Sequence, residues 1–158
     1  MQNQNFNTKW IYFTMIAIWF AIFVSQFLLL LVIYFAKGDL FNFDFTKPLL
    51  SNENSVLLIV LSVLGIITFS ISLVLKLIAL KKLINNRPAD TFQNSVILAI
   101  VTIFNCALCE ATVLFGLVSA FSFDYQYFFL WFALGILGMI LHFPRRENLI
   151  ADSYKNSF

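Results

Sequence analysis

Four long apolar runs organise this chain: Trp10 to Ala36, Ser55 to Leu75, Ser95 to Phe121, and Tyr127 to Phe143. Each is bounded by charged or turn-forming positions. A helix needs about 20 mostly apolar residues to cross a bilayer, so each run is read as a span. The first begins with Trp10 and Tyr12, aromatic residues that favour the headgroup level, and is interrupted near its middle by Ser25 and Gln26. In the second, Ser62, Gly65, Thr68 and Ser72 recur at helical spacing. Small residues on one face let helices approach closely, which makes this a packing face. Lys76 marks the end of that span, and Leu77 to Ile84 continues the helix until Asn85-Asn86-Arg87-Pro88 stops it.

Asp90-Thr91-Phe92-Gln93 reads as a capping box that starts the third helix. Along that helix Thr102, Cys106, Cys109, Val113, Gly116 and Ala120 follow one another at intervals of three and four, and Glu110 borders the stripe. Ser122 to Gln126 is a short turn. The fourth run carries Ala133, Gly135 and Gly138 near one side and ends in His142-Phe143-Pro144-Arg145-Arg146.

Composition agrees with this pattern. The chain is 61% hydrophobic and 11% charged, against about a quarter charged for a soluble domain. Its basic residues are spread over loops and ends, not clustered as in a nucleic-acid-binding tail. They do orient the chain. Lys76, Lys81, Lys82 and Arg87 lie between spans two and three, and Arg145, Arg146 and Lys155 follow span four, whereas only Lys37 and Lys47 lie between spans one and two. By the positive-inside rule both termini and the central loop face the cytoplasm. The expectation is an all-α membrane protein over residues 1–158: four transmembrane helices in one antiparallel bundle, N-in and C-in, in a bacterial inner membrane. The first run, long and without a small-residue cleavage pattern, is expected to remain as a span and not to be removed as a signal peptide.

Glu110 is the one acidic residue inside an apolar run. Placing an acid at the centre of a membrane helix costs roughly 2.5 to 3.5 kcal/mol on insertion scales, so such a residue suggests function. It serves either as a proton-carrying carboxyl or as hydrogen-bonded glue between helices. Matching depths with the helical rise of about 1.5 Å per residue puts Gln26 and Ser62 near its level, as candidate hydrogen-bond partners. Cys106 and Cys109 have redox-dithiol spacing, but a thiol exchanger needs a further cysteine in reach of substrate, and two small core residues is the simpler reading. His142 is read as an interfacial anchor. No metal-ligand spacing, phosphate loop or catalytic triad is present in the sequence, so no cofactor, metal or catalytic residue is expected. The expected partners are the lipid bilayer and other membrane subunits or copies of the chain.

The stretch Asn86-Arg87-Pro88-Ala-Asp90, followed by the helix with Ala107-Leu-Cys-Glu110-Ala111 and Phe115-Gly116-Leu117-Val118, resembles the c (proteolipid) subunit of rotary ATPases over residues 55–121. That resemblance implies a two-helix hairpin with Arg87 and Pro88 in its cytoplasmic loop and Glu110 as the proton-binding carboxyl. Taken whole, with Ile18-Trp19, Ser25-Gln26 and the His-Phe-Pro-Arg-Arg end, the chain is similar to a group of small bacterial four-span proteins, which implies no activity. The leading expectation is a membrane protein with a c-subunit-like hairpin, a proton-binding or assembly component. The alternative is a non-catalytic scaffold in which Glu110 is structural and Gly65, Ser72, Cys106, Cys109, Gly116, Gly135 and Gly138 form the packing faces. A membrane thiol oxidoreductase is third.

Overall fold

The computed structural model describes residues 2–42, 55–85 and 91–144, and within them the chain is helical with no strand. The elements are α1 (Gln2–Ala36), α2 (Ser55–Asn85), α3 (Thr91–Phe123) and α4 (Phe129–Leu141). Single 3-10 turns, Gly38–Phe41 and Gln126–Phe128, follow α1 and precede α4. The loop motif Arg87-Pro88, the capping aspartate Asp90, and Arg145 and Arg146 lie outside the described residues.

Three helices are long and apolar enough to cross a membrane, over Trp10–Ala36, Val56–Lys81 and Val96–Phe123. The fourth apolar run is helical over Gln126–Leu141 and shorter. At about 1.5 Å per residue α1 extends some 52 Å, well beyond a hydrocarbon core of about 30 Å.

Side-chain contacts give the directions of the helices. Ser25 meets Glu110 and Lys37 pairs with Asp124, so α1 and α3 run parallel. Gly65 lies under Trp131, Gly138 faces Phe69, and Ser72 bonds His142, so α2 and α4 run parallel to each other. Gly116 faces Trp131 and Phe132 while Gly138 faces Cys109, so α3 and α4 are antiparallel. The central element is α3, which packs along α1, α2 and α4.

Its buried stripe explains that position. Cys106, Cys109, Val113 and Ala120 are buried, as are the polar Asn105, Thr112 and Ser119. Against this stripe α4 brings glycine. A Cβ on Gly135 would run into Val113 Cγ2 and the Cys109 carbonyl, and one on Gly116 would lie 2.8 Å from Trp131 Cβ. Trp131 spans the two neighbours of α4, its ring on Gly65 of α2 and its Cβ on Gly116 of α3. Near the 3-10 turns a second layer of Ile33, Val113, Ala120, Phe128 and Phe132 joins α1, α3 and α4.

Where α3 ends, Asp124 takes φ 48, a left-handed conformation that Asp tolerates better than most residues. The Tyr125 N–H returns to the Ser119 carbonyl at 3.3 Å, and the Asp124 carboxylate receives Lys37 from the end of α1.

Gly135→Val is expected to destabilise the bundle by about 1–3 kcal/mol, because the added carbons meet Val113 Cγ2, on a stiff β-branched side chain, with the Cys109 carbonyl of the α3 backbone beside it. Gly38→Ala, where a Cβ meets nothing within 4 Å, should leave stability unchanged. Thermal melting of both variants in a mild detergent checks the contrast.

Candidate functional site

In hydrocarbon each polar group must find a partner within the protein. The hydroxyls of this chain meet that demand first with their own helices. Ser70, Ser72, Thr102, Thr112 and Ser119 each donate to a carbonyl three or four residues back, over 2.7–3.1 Å. Thr68 lies 2.9 Å from the Gly65 carbonyl and 3.0 Å from Thr112 Oγ1, which joins α2 to α3.

Ser25, like Thr68, has a single proton that faces two acceptors, and in its case one of them is a carboxyl. Its Oγ lies 2.7 Å from the Ile22 carbonyl and 2.8 Å from Glu110 Oε1. One hydroxyl donates one proton. Ser25 donates to the Ile22 carbonyl and to Glu110 Oε1 with one proton, shared between them or alternating from one to the other. Glu110 itself is half-buried on the seam between α1 and α3, and among the described residues Ser25 is its hydrogen-bond partner.

Gln26 and Ser62 do not join this pair. Gln26 is fully buried, 0% exposed, and among the described residues neither its Nε2 nor its Oε1 has a partner. It sits on the inward stripe of α1 with Met15 and Ile33, one residue and so about 100° round the helix from Ser25. Ser62 is half-buried on α2, whereas Glu110 is bonded from α1.

A second polar group gathers where α4 ends. With the Ser72 proton on the Phe69 carbonyl at 2.7 Å, the His142 Nε2 3.2 Å away is the donor; in the other tautomer Ser72 turns and donates to the ring. His142 is 2% exposed, a buried link between α4 and α2 and not the interfacial anchor expected from its position in the sequence. Lys76 donates to the Leu141 carbonyl and closes the same end. Trp19 Nε1–H donates to the Met139 carbonyl at 2.8 Å and ties α1 to α4. These links were missed at the sequence level because each ends on a backbone carbonyl or a common hydroxyl.

Gly65, Ser72, Cys106, Cys109, Gly116, Gly135 and Gly138 are all buried. Both cysteines are free thiols, and Cys109 Sγ faces Gly138 inside the bundle, so neither is presented to an external thiol in this packing. Among the described residues no three His, Cys, Asp or Glu side chains gather at a metal-binding distance. Comparison with protein families, with curated proteins and with solved structures finds no match for this chain.

Ser25→Ala and Gln26→Leu separate the roles of these neighbours. Loss of the Ser25 hydroxyl should cost about 0.6–2 kcal/mol, the range for hydrogen bonds between membrane helices. Gln26→Leu removes two unpartnered buried atoms and should be neutral or stabilising. Unfolding titrations in mixed micelles, with Glu110→Gln added to complete a double-mutant cycle for Ser25, give both values.

Proposed function

We propose that this chain is a multi-pass membrane protein whose Ser25–Glu110 pair is a proton-binding contact on the lateral face of its bundle, presented to a neighbouring membrane subunit. The observation that carries this reading is the bond between Ser25 and an acid inside a membrane span. One hydroxyl lies within hydrogen-bond reach of both the Ile22 carbonyl and Glu110 Oε1, so the carboxyl is held from the neighbouring helix. Partial exposure on the seam of α1 and α3 adds a second argument. A buried acid serves only its own fold, whereas a half-buried one is within reach of another protein. The resemblance of residues 55–121 to a proteolipid hairpin supports the same chemistry.

In this reading the short run Gln126–Leu141 also crosses the membrane, through a locally thinned bilayer, and forms the fourth span. Both ends of the chain then lie on the side of Lys76 and Lys81, which the positive-inside rule makes the cytoplasmic side of a bacterial inner membrane. A non-catalytic scaffold is the second reading. It is favoured by the same bond taken as glue between α1 and α3, and by the close-packed glycine faces of α4.

Hydrophobic carbodiimides react with protonated carboxyls in lipid. In native membranes at neutral pH, labelling should fall on Glu110 and be absent from Glu110→Gln. The infrared carbonyl band of a protonated carboxyl should vanish in that variant and shift in Ser25→Ala. An unlabelled Glu110 with no such band would refute the proton site and leave the scaffold.

A further inference from the structure

The packing stripe of α3 that runs from Thr102 to Ala120 has an unburied twin. Ile103, Ala107, Glu110, Leu114, Leu117 and Phe121 each follow one of its members by a single residue, so they form a second stripe turned about 100° round the helix. None of the six is buried. Ala107, Leu114 and Phe121, seven residues apart, are exposed. Ile103, Glu110 and Leu117, also seven apart, are half-buried on the seam with α1, where Glu110 bonds Ser25 and Leu117 packs against the cluster containing Ile33. The short helix α4 lies on the other stripe, where Cys109 faces Gly138. Among the described residues no helix covers the outer line of the second stripe.

Its spacing alternates four and three without a break, the repeat by which two helices coil left-handedly with each such position against the facing helix. Glu110 holds one of the central positions. Its Oε1 accepts from Ser25, and its other carboxyl oxygen has no hydrogen bond among the described residues. Lipid tails offer none. The covering helix must therefore bring a polar group at this depth. Two copies in one membrane share an orientation, so the twofold axis between them lies along the membrane normal, and α3 runs parallel to its equivalent with every residue level with its own counterpart. Glu110 then meets Glu110. A protonated carboxyl donates through one oxygen and accepts through the other, which makes it its own complement. With Ala107 one turn away, the two backbones can approach closely enough for that contact.

We propose that the face of α3 beside α1 docks a second copy of this chain, α3 against α3, with the two Glu110 carboxyls hydrogen-bonded across the twofold axis. The inference names the neighbouring subunit of the proton-binding contact and rests on that reading.

Disulfide trapping of the full chain in native membranes tests it. Leu114→Cys should cross-link two copies under copper phenanthroline and air, whereas Ile66→Cys, exposed on α2 at the level set by the Thr68–Thr112 contact, should not. In mild detergent Glu110→Leu should weaken dimerisation about five- to thirtyfold, the equivalent of one hydrogen bond between membrane helices. Glu110→Gln, whose amide is also its own complement, should keep the dimer. Ala107→Ile puts a branched side chain at the contact but on an exposed position of the monomer, and should leave a folded, helical monomer by circular dichroism. Cross-linking of Leu114→Cys no stronger than that of Ile66→Cys would overturn the inference, as would undiminished dimerisation of Glu110→Leu. Carbodiimide labelling of Glu110 alongside either result would overturn only the second copy as partner and leave the proton site standing.

Discussion

The bundle depends on how closely α4 approaches its neighbours, and that approach requires the absence of side chains. Trp131 lies across two glycines from different helices, Gly65 and Gly116, while Gly135 and Gly138 of α4 receive Val113 and Cys109 of α3. Lipid tails are as apolar as leucine, so burying hydrocarbon gives helices in a membrane little reason to associate. Close van der Waals packing must supply the driving force, and glycine makes it available. The antiparallel run of α3 against α4, the parallel run of α2 beside α4, and the burial of the α3 stripe all follow from these contacts.

With the backbones this close, polar side chains have few places to go. Most hydroxyls are bound to their own helix, which satisfies each proton locally and leaves only oxygen lone pairs for contacts between helices. That arrangement gives Ser25 and Ser72 their character. Each meets a second group that must be the donor when the serine proton is on its own helix: the His142 ring at Ser72, and a protonated Glu110 at Ser25. Histidine has a proton to give in its neutral form, whereas a carboxyl must first acquire one. The two serines are thus held in the same way against different partners.

Much of the helical architecture was legible in the hydropathy pattern, because a membrane-spanning helix has to be apolar over its length and the lysines mark where that length ends. Trp10–Ala36, Val56–Lys81 and Val96–Phe123 can be read this way. The partner of Glu110 was legible in height but not in direction. Helical rise placed Gln26 level with it, yet neighbouring residues point about 100° apart, and packing turns the preceding Ser25 towards α3. Gln26 has the stronger hydrogen-bonding group and Ser25 makes the bond. His142 was misjudged for a related reason: its place beside Pro144 suggests an interface, but at the end of α4 its ring turns to Ser72 of α2 and is buried there.

Gln26 and Asn105 remain, two buried amides with unpartnered atoms in a bundle that satisfies its hydroxyls carefully. A buried polar group left without a partner costs about 1–3 kcal/mol, so neither residue is there for stability. Their surroundings separate them. Asn105 belongs to the wall of a cleft shared with Lys76, Thr102 and His142, but its Oδ1 has no surface of its own open to that space. Gln26 lies at 0% exposure next to Ser25, where any partner must already be inside the bundle. It points about 100° round α1 from Ser25, so its unpartnered amide is a cost separate from the Ser25–Glu110 bond.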